Sequence, residues 1–202
     1  MLDLLILNPW LLAALWAVMY IFDYASTLWL RGVYDTTLSR YMVFERGVEL
    51  NPNFEKEIAA RRVISPKFIL LLTLVVIIVL LGPALGVISP WVGYYFVEFL
   101  AGALLLTWSF VNSRHLRNYF YVWFLRRKPE ALQGRQVHSY WFMQKTLAGE
   151  ALVWGLLYLF LFLLTWRIFF LGGALVCSAL ALRAYRLANR KFKTPVAGQT
   201  PS

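Results

Sequence analysis

Long apolar runs alternate with short polar and basic segments along the whole chain. The clearest run extends from Phe68 to Val97, where no charged residue occurs. A helix needs about 20 apolar residues to cross a bilayer, because each residue adds about 1.5 Å of length. The run is therefore too long for a buried helix of a soluble protein. The pattern predicts an all-α fold, a polytopic bundle of transmembrane helices.

Proline after a capping residue marks the predicted helix starts. Asn and Ser side chains accept hydrogen bonds from free backbone N–H groups, and proline fits the first turn because its missing N–H is not needed there. Such pairs stand directly before apolar runs at Asn8-Pro9, Ser65-Pro66 and Ser89-Pro90. Together with the apolar runs they predict five spans, near residues 9–30, 67–88, 90–113, 146–166 and 168–188.

The last two predicted spans share one apolar stretch. Residues 146–188 are too many for a single crossing, and Trp166-Arg167 interrupts them. A tight hairpin at that dipeptide is the leading prediction, and a turn at Gly172-Gly173 is the alternative, since glycine ends helices readily. Residues 194–202 are small, polar and proline-containing. They are predicted to form a disordered cytoplasmic tail after a transmembrane domain of residues 1–193.

Residues 114–127 form an amphipathic segment after the third span. Their apolar side chains recur at helical spacing on one face, namely Leu116, Tyr119, Phe120, Trp123 and Phe124. Four arginines flank that face: Arg114, Arg117, Arg126 and Arg127. The segment is predicted either to extend the third span or to lie at the interface, with its arginines contacting the phosphates of anionic lipids. Residues 38–48 are predicted to form a second, weaker interfacial segment.

Composition agrees with the membrane prediction. Of the 202 residues, 60% are hydrophobic and 15% are charged, against about 25% charged in a typical soluble domain. The net charge of +10 would suggest nucleic acid as a partner of a soluble protein. Here the basic residues lie between and after apolar runs, so no nucleic-acid partner is expected. The predicted partner is the lipid bilayer and its anionic lipids.

The positions of lysine and arginine predict the orientation. Residues 31–67 carry seven of them, residues 114–145 carry another seven, and the tail from Arg183 carries five. The turn at residues 89–90 carries none, and the hairpin turn carries only Arg167. The positive-inside rule then predicts an outer N-terminus and a cytoplasmic C-terminus in an inner (plasma) membrane. This arrangement needs an odd number of spans, which supports five.

Three acidic residues fall inside predicted spans, where a charged side chain costs roughly 2.5–3.5 kcal/mol on insertion scales. Asp23 lies near the middle of the first span, Glu98 in the third, and Glu150 near the cytoplasmic end of the fourth. Tyr20 and Thr27 lie about one turn from Asp23 and can donate hydrogen bonds to it. The acids are predicted to face the bundle interior. They form a site for a cation, a proton or a substrate headgroup, or else they join the helices.

Other recognisable chemistry is scarce in the sequence. No Gly-x-Ser-x-Gly, phosphate-binding loop or His-Glu-x-x-His motif is present. The sequence has two histidines, His115 and His138, and one cysteine, Cys177, and neither histidine has a nearby cysteine or Glu-x-x-His partner. This spacing argues against a zinc site, and no cofactor is predicted. One loop cluster has the oxygen ligands that hard cations prefer, but a solvated, charge-balanced loop is the favoured interpretation. Its members are Glu45, Glu49, Asn51, Asn53, Glu55 and Glu57.

Two short motifs flank the first long polar segment. The first is Asp23-Tyr24-Ala25-Ser26-Thr27, and the second is Glu49-Leu50-Asn51-Pro52. They resemble an uncharacterised family of small prokaryotic membrane proteins, which carry Asp-x-x-x-Thr in the first helix and Glu-x-Asn-Pro before the second. The likeness covers about residues 9–90. It implies one constellation at the cytoplasmic side, and it implies nothing about chemistry. That constellation comprises Asp23, Thr27, Glu49 and Asn51.

The leading functional hypothesis is a small transporter or channel for cations or protons. The predicted site residues are Asp23, Thr27, Glu49, Asn51 and Glu98. Five spans leave a thin wall around any pathway, so a homo-oligomer is expected. Two alternatives are an accessory subunit of a larger membrane complex and a membrane-embedded enzyme acting on a lipid or lipid-linked phosphate. In the enzyme, Asp23 or Glu49 would be the acid/base group. The phosphate of the substrate would be held by Arg114, His115 and Arg117.

Overall fold

The computed structural model describes residues 2–45, 53–128, 130, 134 and 136–190, and most of them are helical. The helices are α1 (Leu2–Leu7), α2 (Pro9–Thr36), α3 (Glu55–Ala59), α4 (Pro66–Ile88), α5 (Pro90–Ala101), α6 (Thr107–Arg127), α7 (Tyr140–Thr165) and α8 (Ile168–Asn189). A π-helical segment, Gly102–Leu106, joins α5 to α6 without a break. A 3-10 turn covers Leu38–Arg40, and two short strands are β1 (Met42–Phe44) and β2 (Gln136–His138).

Five helical segments of the described chain are long and apolar enough to cross a membrane. They are α2, α4, the continuous helix Pro90–Arg127, α7 and α8. This confirms the predicted all-α bundle, and the chain is a multi-pass membrane protein. The first span is longer than predicted, because α2 continues from residue 30 to Thr36.

The third helix is the longest of the five, with 38 residues and a length of about 57 Å. Residues 114–127 belong to it, so the structure has the extension rather than a separate helix at the interface. The π-helical segment lies where this helix packs against α8. In such a segment each N–H bonds to the carbonyl oxygen five residues earlier, so the regular α-helical hydrogen-bond pattern is locally interrupted.

The last hairpin turns at Trp166-Arg167, the leading position of the two that the sequence left open. Trp166 adopts the left-handed conformation, with φ of 54°, and its N–H donates to the carbonyl oxygen of Phe162. A residue in this conformation ends a helix. At the other end of α7, Ser139 accepts a hydrogen bond from the N–H of Phe142 at 3.3 Å, as an N-cap should.

Gly172 and Gly173 lie inside α8, so the alternative turn at this pair is wrong. Both are buried: Gly172 lies where α8 crosses α5, and Gly173 faces Leu106 of the π-helical segment and Tyr158 of α7. A Cβ on Gly172 would overlap the carbonyl oxygen of Phe99 and lie 2.8 Å from the backbone nitrogen of Ala103. Glycine therefore serves here to bring two helix backbones together, as small residues do between transmembrane helices.

A short parallel pairing covers one end of the bundle. β1 pairs with β2 in the register Met42 to Gln136 and Phe44 to His138. Glu45 continues this contact, since its carboxylate accepts a hydrogen bond from the N–H of Tyr140 at 2.8 Å. The described part of segment 38–48 is therefore not an amphipathic helix. Its residues Met42–Phe44 form backbone hydrogen bonds with β2 instead.

An aromatic core joins α2, α4 and α6. The ring of Tyr20 stacks on Trp16 at 5.1 Å and on Phe68 at 4.7 Å between centroids. Trp108 meets Tyr20 edge-on at 5.7 Å. These rings are buried or nearly so, and pairs of this kind contribute about 0.5–1.5 kcal/mol beyond their buried area. The packing fixes α2 against α6 and so positions the polar groups one turn further along.

Candidate functional site

The intramembrane acids lie at two levels of the bundle. Glu98 and His115 are seventeen residues apart on the continuous third helix, which separates them by about 25 Å. The first level contains Glu98, and the second contains Asp23 and Glu150 with their partners. The distance between levels is close to the roughly 30 Å thickness of the bilayer hydrocarbon. The two levels are therefore separated by almost the full thickness of such a layer.

Asp23 pairs with His115 across the contact between α2 and α6. The carboxylate oxygen Oδ1 lies 2.7 Å from imidazole Nε2, and the side chains are 24% and 13% exposed. Thr27 donates to the backbone carbonyl oxygen of Asp23 at 3.0 Å, not to its carboxylate. Asp23 and His115 thus form a partly buried carboxyl–imidazole pair.

A polar seam extends along α2 and α6 on both sides of this pair. One turn further, the hydroxyl of Tyr119 lies 3.3 Å from the hydroxyl of Ser26. On the other side, Asn112 donates to the carbonyl oxygen of Met19 at 3.3 Å. The seam places several hydrogen-bonding groups at helical spacing next to Asp23.

The sequence placed Asp23 near the middle of the first span, and the structure places it beside the start of α4. Tyr24, its neighbour on α2, donates to the carbonyl oxygen of Arg62, which precedes α4, at 2.7 Å. The ring of Tyr24 also lies 4.6 Å from that of Phe68, in the first turn of α4. Asp23 is therefore level with the start of α4.

Tyr20 does not reach Asp23, although the sequence offered it as a donor. Its hydroxyl is buried without a hydrogen-bond partner among the described residues, because its ring is held in the aromatic core. The indole nitrogens of Trp16 and Trp108 are also buried without a hydrogen-bond partner among the described residues. Three donors are thus gathered beside the polar seam.

Glu98 belongs to a separate network at the opposite level. Its buried carboxylate, 2% exposed, lies 2.6 Å from Nε of Arg167. Nη2 of Arg167 lies 3.0 Å from Oδ1 of Asp3, and Tyr94 donates to the same oxygen at 3.0 Å. The hydrogen bonds from Arg167 and then Tyr94 lower the pKa of Asp3. Those with Asp3 and Glu98 raise the pKa of Arg167.

Glu150 is held by two arginines of α6. Its carboxylate oxygens lie 2.8 Å from Nε of Arg114 and 2.5 Å from Nη1 of Arg117. These three side chains line a recess between α6 and α7. The other two arginines of the amphipathic segment lie further along α6, where Arg126 is exposed and Arg127 lies 3.9 Å above the ring of Trp123.

The predicted site residues are therefore not gathered in one place. Asp23 and Thr27 lie together on α2, and Glu98 lies about 25 Å away along the third helix. Glu49 and Asn51 lie outside the described residues. The sequence did not single out His115 as the partner of Asp23, because it stood beyond the predicted third span. Its position at i+3 from Asn112 on the extended helix is the signal that could have found it.

The acidic loop cluster is dispersed as far as it is described. Glu57 pairs with Lys67 at 3.1 Å, and the hydrogen bond from Lys67 lowers the pKa of Glu57. Glu45 binds a backbone N–H instead. No group of three or more His, Cys, Asp or Glu side chains that could hold a metal lies together in the described ranges.

The three pairs differ in the chemistry of the basic partner. Arginine keeps its charge at any physiological pH, so it can only fix a carboxylate. Imidazole gains and loses a proton near neutral pH, so it can exchange one with a carboxylate. No protein-family model, curated protein or solved structure matches the chain. The resemblance carried by the two short motifs stays a prediction.

Proposed function

We propose that the protein is a small proton-handling transporter or channel whose protonatable centre is the pair Asp23–His115. The observation that carries this proposal is the 2.7 Å contact between the two side chains within span-forming helices. Ionisable residues inside transmembrane bundles mark proton relays and substrate paths. Among the described acids of the span-forming helices, Asp23 pairs with an imidazole, whereas Glu98 and Glu150 pair with guanidinium groups. Histidine is the side chain that most often exchanges protons in transmembrane relays of this kind.

The polar seam supplies a route to this centre. The hydroxyls of Ser26 and Tyr119 lie one turn from Asp23 and lead toward the nearer membrane face. Asn112 lies on the opposite side and leads toward the buried donors of Trp108 and Tyr20. Protons pass between such groups through hydrogen-bonded hydroxyls and ordered water. Glu98 does not take part, since Arg167 holds its carboxylate.

The proposed setting is a plasma membrane with the N-terminus outside. Nineteen of the twenty Lys and Arg residues then lie on the cytoplasmic side. The exception, Arg167, is bound by Asp3 and Glu98, so its level carries no net positive charge. Five spans form a thin bundle, and the functional unit is a homo-oligomer or part of a larger membrane complex.

The test is proton flux into liposomes that contain the purified chain. A potassium diffusion potential drives protons inward, and an enclosed dye reports the internal pH. Asp23→Asn and His115→Gln should each lower flux about 100-fold, the scale on which a positioned proton-transfer group acts. The matched controls are Asp35→Asn, on the same helix but paired with Arg31 and Arg61, and His138→Gln in β2. Both should keep the flux of the unaltered protein.

The other functional hypotheses give different results in the same assay. Folded protein without any flux would contradict the proposal and favour an enzyme or an accessory subunit. Equal loss in the controls and in the Asp23 variant would assign the effect to lost folding. Thermal stability in detergent separates these cases, because Asp23→Asn should leave folding intact while it removes the protonatable group.

A further inference from the structure

We propose that the recess between α6 and α7 binds the phosphate of an anionic lipid headgroup. This site goes beyond the proposed proton function and shares none of its residues. The recess has a volume of about 160 Å³. Its lining residues are Phe110, Ser113, Arg114, Arg117, Glu150 and Trp154.

The arginines of the recess are already arranged around an anion. Arg114 and Arg117 lie about one turn apart on α6, and both contact the carboxylate of Glu150 on α7. The two oxygens of that carboxylate occupy the positions that two phosphate oxygens would take. The planar guanidinium group matches phosphate oxygens as well as it matches a carboxylate.

The charge of the recess favours an added anion. Two guanidinium groups and one carboxylate leave the lining with a net charge of +1. The side chain of Arg117 is 59% exposed, so a ligand can reach it without unfolding the bundle. The exposed guanidinium of Arg117 has five N–H donors, which is more than one carboxylate can accept. Glu150 therefore holds the arginines in position and also competes with a ligand for them.

The position of the recess fits a lipid better than a free ion. Arg114 lies sixteen residues beyond Glu98 on the third helix, about 24 Å further along and close to the far side of a hydrocarbon layer. Phe110 and Trp154 form the apolar end of the recess. Leu157, 44% exposed, continues this surface one turn further along α7. A headgroup phosphate would meet the arginines while its acyl chain follows the apolar side.

The test titrates the full chain in detergent with dioctanoyl phosphatidylglycerol and reads affinity from ligand-dependent thermal stabilisation. The triple variant Arg114→Gln/Arg117→Gln/Glu150→Gln removes both arginines without leaving a carboxylate unpaired. It should bind at least about tenfold more weakly. The matched control is Arg126→Gln/Arg127→Gln, which removes two arginines of the same helix outside the recess. It should bind like the unaltered chain.

Glu150→Gln gives the sharper result. It removes the competing carboxylate and its negative charge, so affinity for the lipid should rise about tenfold. An ion pair that only joins α6 to α7 would not produce this gain, and this arm remains decisive if the triple variant fails to fold. Two further probes identify the source of the phosphate. Dioctanoyl phosphatidylcholine should bind weakly, and inorganic phosphate should not displace phosphatidylglycerol.

Three results would overturn the proposal. The first is equal binding of phosphatidylcholine and phosphatidylglycerol. The second is equal loss of binding in the triple variant and the Arg126/Arg127 control, which would mean attraction by surface charge alone. The third is unchanged affinity in Glu150→Gln. Full displacement by inorganic phosphate would keep the phosphate site and contradict the lipid as its occupant.

Discussion

Single residues decide what each buried acid can do. Asp23 faces an imidazole, whereas Glu98 and Glu150 face guanidinium groups. A carboxylate bound to arginine serves mainly to satisfy two charges that would otherwise be buried alone. An acidic side chain therefore has a structural role at Glu98, a place in the proposed lipid site at Glu150 and a proposed proton-handling role at Asp23. Burial alone does not separate them, since Glu98 is the most buried of the three.

The network around Asp3 should make stability depend on pH. The pKa of Asp3 is lowered in the folded protein by its hydrogen bonds with Arg167 and Tyr94. The contribution of Asp3 to the free energy of unfolding is therefore complete above the ordinary carboxyl pKa of about 4. It is lost as the pH falls through the lower pKa that Asp3 has in the folded protein. Thermal unfolding in detergent should show a smaller acid-side decrease for Asp3→Asn than for the unaltered chain. Glu130→Gln, an exposed loop acid, is the control.

An unchanged acid-side decrease in Asp3→Asn would mean that this contact does not form in solution. A decrease removed equally by Glu130→Gln would point to a general effect of charge.

At the scale of elements, close packing of helix backbones sets the position of α8. Gly102 in the π-helical segment and Gly172 in α8 lie in the contact between α5 and α8, where a side chain on either would overlap the other backbone. The buried face of α8 consists of small residues: Gly172, Gly173, Ala174, Cys177, Ala181, Ala184 and Ala188. Lipid gives helices no hydrophobic reason to associate, so van der Waals packing at such faces carries the association.

Gly172→Ala should destabilise the bundle by about 1–3 kcal/mol, because the added methyl group forces α8 away from α5. Gly149→Ala is the matched control, since nothing lies within 4 Å of a Cβ at that position in α7. It should stabilise the protein by about 0.5–1 kcal/mol through the higher helix propensity of alanine. Unfolding by a denaturing detergent measures both changes. Equal effects of the two substitutions would contradict the close contact.

At the scale of the whole molecule, charge is distributed unevenly between the two ends. One end carries Arg167 with its two acidic partners, and the other carries the arginines of α6 with the ion pairs of Asp35 and Glu57. Between them the lateral surface is apolar, as exposed Leu70, Leu81 and Leu152 illustrate. Such a surface is stable in lipid and not in water. The asymmetry supplies the basis for the proposed orientation.

The proposed orientation can be checked with single cysteines and a membrane-impermeant thiol reagent applied to intact cells. Ile88→Cys, at the exposed end of α4, should react, because this turn is proposed to face outside. Glu130→Cys, beyond α6, should not. The native Cys177 is fully buried and should stay silent in the unaltered chain. The reverse labelling pattern would mean an inverted protein, and labelling at both positions would mean that the third helix does not cross the membrane.

The sequence by itself determined the elements. Apolar runs set by the thickness of a bilayer and proline after Asn or Ser gave five spans, and helix starts at Pro9, Pro66 and Pro90 agree with the structure. The break at Trp166-Arg167 was the leading of two possibilities. The end of α2 was misplaced, because polar residues after residue 30 continue the same backbone hydrogen bonds and nothing local stops them.

Only the tertiary structure decided which polar groups meet. Helical periodicity gives the face on which Asp23 lies, but it carries no information about which helix that face will contact. The pairing with His115 depends on the aromatic packing that sets α2 against α6, and the pairing of Glu98 with Arg167 depends on the turn between α7 and α8. Those contacts join residues 92 and 69 positions apart in the chain. Local propensity acts over a few residues, so partners at such distances are fixed by packing.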